Sequence, residues 1–301
     1  MCSAEPRGAF TQYLPCNHQM RKQIYLLIIA MVMASHICVS GQELYVFSDP
    51  ASNVPAKSLS IKYGSKWMEE NSLGNKLIQS RQMAEASIGL NKKWMFRPSL
   101  TFSDMYTNRV MKWESASLYA KYRFYSIDDV HRHFRAAAYL KGVMSSNNLQ
   151  FEELTSDGDQ SVIQGGVILT QLINKLAISS TISLTEVLDG ERWLKYFGPR
   201  NFGYSSFNYS LSAGYLLFPK KYTSYKQTNF NLYLELLGSR GIDRKFYFVD
   251  LAPAMQFIIN SNTKVNLGYR FQVKGNAYRM ASAAPSISLS VERTFFNTFK
   301  K

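Results

Sequence analysis

The chain has 301 residues, of which 46% are hydrophobic, 19% charged and 14% aromatic. This apolar content excludes a disordered or collagen-like chain, and the length suits one large domain or two ordinary ones. Thirty-five Lys and Arg residues against 21 Asp and Glu residues give a net charge of +14, which suggests an anionic neighbour such as nucleic acid, lipid head groups or acidic solutes.

Cysteine is confined to the first 40 residues, at Cys2, Cys16 and Cys38. No CxxC pair exists, so the sequence supports neither a zinc site nor a disulfide framework.

Residues 1–41 have the pattern of an N-terminal extension followed by a cleaved signal peptide. Arg21 and Lys22 precede the apolar run Ile24–Ala34, and small residues follow at Val39–Gly41. A basic head, a short apolar core and a small-residue exit are typical of a secretory signal. The run is shorter than the roughly 20 apolar residues that a spanning helix needs. We therefore expect an exported protein.

Cleavage after Gly41 would leave Gln42 as the new N-terminus and the mature chain without cysteine. Because Met20 begins a conventional signal by itself, we interpret residues 1–19 as an extension from an upstream start. The alternatives are a buried core helix, or lipid attachment at Cys38, where the small residue normally required just before the cysteine is missing.

The mature chain alternates apolar and polar residues with a period of two, which is typical of strands. Phe230, Leu232, Leu234 and Leu236, for example, alternate with Asn229, Asn231, Tyr233 and Glu235. Twelve such segments are predicted, near 58–67, 81–91, 93–104, 113–125, 132–142, 160–173, 176–187, 204–218, 227–238, 245–259, 263–273 and 284–296. Pro98 and Pro253 weaken two of them, because proline removes a ladder donor.

Short and long connections alternate along the chain. Tight turns are predicted at 91–92, 126–130, 174–175 and 260–262, and longer links at 68–80, 105–112, 143–159, 188–203 and 274–283. A meander with turns on one rim and loops on the other is typical of outer-membrane barrels. We therefore predict an all-β fold: a single antiparallel up-and-down transmembrane β-barrel of about 12 strands over residues 58–301. Residues 42–57 would form a periplasmic N-terminal segment, either plugging the lumen or hanging below it.

A soluble exported β-domain is the alternative, because periodicity alone cannot decide which way the apolar side faces. Three features favour the membrane: the signal peptide, segments of about the 9–11 residues that cross hydrocarbon, and aromatics near segment ends, as interfacial girdles require. An exported chain of this pattern can span lipid only as a closed sheet, since unpaired backbone polar groups are costly there. The last segment, Ser286–Phe296, also ends in aromatics and resembles the closing strand of outer-membrane proteins.

Two stretches carry a family resemblance: the mature start Gln42–Lys62, and Asp250–Phe257 followed by a hairpin and Leu267–Arg270. Both resemble uncharacterised outer-membrane β-barrel proteins of the Bacteroidota. The Leu-Ala-Pro-x-x-Gln-Phe strand is also distantly similar to porin-like barrels grouped with meta-pathway phenol-degradation proteins. The resemblance implies fold, outer-membrane location and passive transport, and it identifies no catalytic or ligand residue.

If the apolar parity faces lipid, the opposite parity lines the interior. Basic residues outnumber acids in that set, so a pore should favour anions. The alternative is a neutralising salt-bridge network that merely packs the interior. The predicted lumen-lining residues are Lys62, Arg97, Lys121, Arg123, Arg135, Asp250, Lys264, Arg270 and Glu292, joined by Lys66, Glu85, His133, Lys141 and Glu235.

The basic residues of the long loops are expected to meet the anionic lipid surface: Arg192, Lys195, Arg200, Arg240, Arg244 and Arg279. They form no recognition motif, so we expect no nucleic-acid partner.

Catalysis and metal binding have little support. The histidines of the predicted mature chain are His131 and His133, which lie beside a predicted turn. The sequence shows no recognisable pairing of a nucleophile with a histidine. The acidic stretch Glu152–Asp159 matches no known Ca²⁺-binding loop, and methionines near the loops suit packing better than Cu(I). We expect no enzyme activity, cofactor or metal.

The predicted function is therefore a channel or transporter for small, possibly anionic, solutes through a basic lumen. A non-conducting structural or surface-binding barrel is the second hypothesis, and a barrel hydrolase the third. Expected partners are outer-membrane lipid and lipopolysaccharide, the barrel-assembly machinery and small solutes, with a monomeric barrel.

Overall fold

The computed structural model describes residues 45–72, 75–105, 110–129, 132–147, 152–188, 204–219, 227–279 and 285–299. The predicted extension and signal peptide at 1–41 lie outside these residues, as do His131 and the basic residues Arg192, Lys195 and Arg200. Within the described ranges, no helix is long and apolar enough to cross a membrane.

Twelve antiparallel strands of the described chain form a closed barrel in which each strand pairs with its sequence neighbours. Backbone pairing between β1 and β12, from Leu59 opposite Phe295 to Met68 opposite Ser286, closes the cylinder. This confirms the predicted fold class. The strands are β1 (Ser58–Ser72), β2 (Asn75–Gly89), β3 (Trp94–Ser103), β4 (Lys112–Asp128), β5 (Arg132–Ser145), β6 (Val162–Ile173), β7 (Leu176–Val187), β8 (Ser205–Phe218), β9 (Asn229–Gly241), β10 (Tyr247–Ile259), β11 (Thr263–Gly275) and β12 (Ser286–Phe295).

The first hairpin is longer than predicted. The expected link over residues 68–80 is mostly strand, with Met68 opposite Gln79 and Glu69 opposite Ile78. Apolar alternation marks only the part of a strand that faces lipid, whereas backbone pairing continues beyond it. The sequence pattern therefore ends before the strand does.

Both strand prolines lie within the sheet, and each interrupts the pairing on one side only. Pro98 is paired with Leu118 of β4, but the β2–β3 pairing is interrupted beside it. Pro253 is likewise paired with Leu234 of β9, with an interruption toward β11. Two residue pairs are missing from the ladder at each interruption, beside a proline that has no N–H to donate, and the register on both sides of each interruption is unchanged.

The barrel is inside out relative to a soluble protein. Large apolar side chains on its outer face are exposed, including Leu118, Ile182 and Leu211 at 52–54%. Many side chains on the inner parity are polar and buried, including Thr170, Ser212 and Gln256. This arrangement suits hydrocarbon outside and a polar interior, as in transmembrane barrels. Exposed aromatics at the strand ends, such as Trp94, Phe102 and Phe295, have the placement of an interfacial girdle.

The two ends of the barrel differ. We call the end with the short β2–β3, β4–β5, β6–β7 and β10–β11 connections the turn rim; it also holds residues 57 and 299 beside each other. The opposite end, with the β3–β4, β5–β6, β7–β8 and β11–β12 connections, is the loop rim.

Candidate functional site

The barrel encloses a cavity of about 900 Å³. Its lining extends from His133, Ser261 and Phe296 near the turn rim to Leu154–Asp157 of the β5–β6 connection. Two segments that are not strands enter this space, one from each end. The N-terminal strap is residues 45–57, and the inward loop is residues 152–161.

The strap is held at its start by one buried carboxylate. Glu235 of β9 accepts hydrogen bonds from three consecutive backbone N–H groups, those of Val46 and Phe47 at 2.9 Å and of Ser48 at 2.8 Å. Ser212 donates a fourth hydrogen bond at 3.2 Å. Consecutive N–H groups converging on one anion form a backbone nest, here closed by the wall's own carboxylate.

The middle of the strap is bound by the opposite wall. The ammonium of Lys121, which is buried, donates to the carbonyl oxygens of Pro50 at 2.8 Å and Ser52 at 2.7 Å. The backbone N–H of Ala51 donates to Thr170 at 2.9 Å. Every one of these bonds satisfies a strap backbone group, so the wall holds this part of the strap through its backbone. The segment 42–57, whose place the sequence left open, thus enters the lumen over its described residues.

Asp49 joins the strap to the charged wall. Arg97 of β3 donates to the Asp49 carboxylate at 2.7 Å. Burial would raise the pKa of Asp49, but the positive charges of Arg97 and Lys121 outweigh burial and hold that pKa well below its ordinary value. Asp49 is therefore a carboxylate at neutral pH.

The inward loop is anchored by its acidic residues. Glu153 accepts from Arg279 Nη2 at 2.6 Å and Nε at 2.9 Å, and Asp159 is paired with Arg81. Burial would raise the pKa of Glu153, but the charge and hydrogen bonds of Arg279 lower it to about 2. The acidic stretch is thus held by arginines, and no group of metal-ligating residues occurs in the described chain.

Gly158 fixes the turn of this loop. Its backbone φ of +121° is one that residues with a side chain rarely adopt, and a Cβ at this position would lie 2.5 Å from the Ser115 hydroxyl. The Gly158 carbonyl accepts from Ser145 at 2.7 Å. The loop therefore packs directly on β4 and β5.

Arg279 corrects one expectation. It was expected at the lipid surface with the other loop basics, whereas its guanidinium is buried and bridges Glu153 and Asp250. Its position in a loop gave no sign that Arg279 itself points inward.

The predicted lumen residues occupy three kinds of place. Asp250 is buried behind Arg270 and Arg279, and Arg123 stands beside a β4 irregularity without lining the large cavity. Glu235 is likewise buried, under the strap. The others line the cavity. Most of them have a partner: Lys62 with Glu85, Arg97 with Asp49, Lys121 with the strap, Arg135 and His133 with Asp128, Lys264 with Glu292, and Arg270 with Asp250.

Cations outnumber acids on the cavity surface formed by described residues. Nine basic side chains line the cavity: Lys62, Lys66, Arg81, Arg97, Lys121, Arg135, Lys141, Lys264 and Arg270. Four acids do: Asp49, Glu85, Asp157 and Glu292. Further acids, including Glu114, Asp159 and Asp250, lie behind these cations and offset their charge. The described interior thus contains a salt-bridge network, and more basic than acidic side chains of the described chain line the cavity itself.

His133 contributes no catalytic arrangement. Its Nδ1 lies 3.0 Å from Asp128 on the neighbouring strand, at the turn rim. Arg135 binds the same carboxylate, so this carboxylate mainly completes a strand-end ion pair.

The fold is similar to solved structures of outer-membrane channels. An outer membrane channel from Pseudomonas putida F1 aligns with a TM-score of 0.56 at 12% identity, covering 83% of this chain and all of that one. A KdgM porin aligns at 0.47 with 10% identity over 78% of this chain and 99% of that one, and a NanC porin at 0.46 with 12% identity over 78% and 98%. These neighbours are porins and channels, not enzymes. No family model and no curated protein matches the sequence.

Proposed function

We propose that this chain is an outer-membrane channel through which small solutes, anions in preference to cations, pass beside the strap. The observation that supports it most is the cavity of about 900 Å³ with its excess of basic lining residues. A cation-rich polar path inside an apolar cylinder lowers the barrier for anions. The channel fold shared with the Pseudomonas protein agrees with this role.

The proposal includes a cellular setting. The signal peptide that begins at Met20 would export the chain, the barrel-assembly machinery would insert it as a monomer, and its outer face would contact lipid and lipopolysaccharide. The turn rim would then face the periplasm. The sequence resemblance to Bacteroidota barrels and, distantly, to meta-pathway phenol-degradation barrels supports the same setting.

Planar-bilayer recording of the purified protein tests the channel. We expect stable single-channel steps and, in a tenfold KCl gradient, a reversal potential that indicates chloride preference. A variant lacking residues 45–55 should conduct more than the intact protein, since the strap no longer fills the lumen. Cation preference in both proteins would contradict the anion proposal.

A non-conducting structural or surface-binding barrel is the second candidate, and the dense contacts of the strap and the inward loop favour it. Silence of both the intact protein and the strap-deleted variant would support this candidate and exclude the channel.

A further inference from the structure

Two lysines on the cavity wall differ from the other described lumen cations. Lys66 of β1 and Lys141 of β5 both line the cavity. Lys66 lies 3.7 Å from Asp157, which is beyond hydrogen-bond distance. In the described chain, no acid lies within ion-pair distance of Lys141 and no acceptor within hydrogen-bond distance. Each ammonium carries three donors, so this pair offers the cavity an unused set of donors.

Asp157 is the one inward-loop acid that is loosely held. Its side chain is 47% exposed, against 14% for Glu153 and 12% for Asp159, and that exposure is toward the cavity it lines. Glu153 and Asp159 are hydrogen-bonded to arginines and anchor the loop. Asp157 can therefore move away while the loop stays in place.

The surroundings of Asp157 suit a carboxylate. Burial would raise the pKa of Asp157, but the positive charges of Lys66, Lys141 and Arg81 outweigh burial and hold it well below the ordinary value. Arg81 is engaged by Glu114 through two hydrogen bonds of 2.8 Å. The two lysines are thus the cations available to another anion at this place.

We propose that Lys66 and Lys141 form a binding site for small organic carboxylates, in which the Asp157 carboxylate is an internal competitor. The site rests on the proposed channel function and deepens it, since it gives the passing anions a chemical class. A solute carboxylate entering from the loop rim would displace Asp157 and accept hydrogen bonds from both ammonium groups. Occupancy by the protein's own carboxylate keeps the site weak, which a channel needs for release.

Succinate block of the chloride current tests the site at about 0.1 M salt, where charges more than about 10 Å apart are screened. We expect the Lys66→Gln/Lys141→Gln double variant to weaken block by at least about tenfold, the effect of one lost charge contact. Asp157→Asn should strengthen block by a similar factor, a gain that a misfolded barrel cannot produce. Lys264→Gln is the matched control, because Lys264 is already hydrogen-bonded to Glu292 at 2.9 Å; its block should change by less than about twofold.

Calorimetric titration of succinate into the folded protein in detergent separates the site from the channel. If neither the intact protein nor the strap-deleted variant conducts, but succinate binding follows the same variant order, the channel is excluded and the site remains. Conductance with equal block in all four proteins, or with Asp157→Asn weaker than wild type, would overturn the site. Succinate binding, measured by calorimetry, that is unchanged in the Lys66→Gln/Lys141→Gln variant would also overturn the proposed site.

Discussion

Glu235 is a buried carboxylate whose described partners include no cation. Instead of a cation, three strap N–H groups and the Ser212 hydroxyl donate hydrogen bonds to the Glu235 carboxylate. Such charge-assisted bonds contribute about 1.5–3 kcal/mol each, so this residue contributes more to holding the strap than any single neutral contact. Substitution of Glu235 is therefore the most direct test of how firmly the strap is bound.

We expect Glu235→Gln to release the start of the strap. Glutamine keeps one acceptor oxygen and brings two N–H donors toward the strap's own N–H groups, for a loss of about 3 kcal/mol. In an Ala51→Cys background of a chain that begins at Gln42, which has no other cysteine, maleimide labelling should accelerate by about a hundredfold. Glu292→Gln, a lumen carboxylate that does not contact the strap, is the control. Equal labelling in all three proteins would contradict this role.

Gly214 makes room for the aromatic contact beside the strap. A Cβ at Gly214 would lie 2.4 Å from the Tyr233 ring, which packs edge-on against Tyr45 with centroids 5.6 Å apart. Gly214→Ala should displace Tyr233 and lower the unfolding free energy by about 1–3 kcal/mol. The loss is read from the midpoint of heat-induced unfolding on gels. Gly142→Ala, where nothing lies within 4 Å, should change that midpoint little, and a larger effect there would refute the steric account.

At the scale of elements, we expect the inward loop to detach from the barrel wall at low pH. The pKa of Glu153 falls from its ordinary 4.5 to about 2 in the folded protein because burial, which would raise it, is outweighed by Arg279. A lowered pKa stabilises the folded loop fully above pH 4.5, and the stabilisation is lost as the pH falls toward 2.

Pepsin cleavage within residues 152–161, normalised to a free peptide at each pH, should therefore rise between about pH 4.5 and 2. Glu153→Gln should be cleaved readily already at pH 4.5 and show a flatter profile. A wild-type profile without a rise in this window would show that the loop does not depend on the charge of Glu153.

The strands could be predicted from the sequence and the two inserted segments could not. Leu211, Ala213 and Tyr215 alternate with small polar residues because one face meets lipid, and this local signal predicted β8 to within a residue. The strap has no such period, and Glu235 is 187–189 residues away from the groups it binds. Arg279 likewise meets Glu153 across 126 residues. Such pairings depend on barrel closure, which brings distant strands together only after the fold exists.

The sequence also predicted which residues of each strand face the interior, for the same local reason. It did not predict the net charge of that interior. Lys264 and Arg270 stand out on β11, whereas the acids that pair with Arg270, Glu153 and Asp250, lie on another loop and another strand. Counting charges along the wall therefore overstates the basic character of the interior. Among the described residues, nine basic and four acidic side chains line the cavity, and it is on this surface that the proposed anion preference depends.

At the scale of the whole molecule, the exposed apolar outer face leads us to expect a barrel that is stable in lipid or detergent and not in water alone. Leu211 lies near the middle of β8 with 54% of its side chain exposed, and Phe218, equally exposed, ends the same strand. An arginine costs about 2–4 kcal/mol at the bilayer midplane and about 0–1 kcal/mol near the interface. Leu211→Arg should therefore lower the unfolding free energy in lipid vesicles by at least about 2 kcal/mol. Phe218→Arg should lower it by about 1 kcal/mol or less, and equal losses at the two positions would refute the proposed depth of β8 in the membrane.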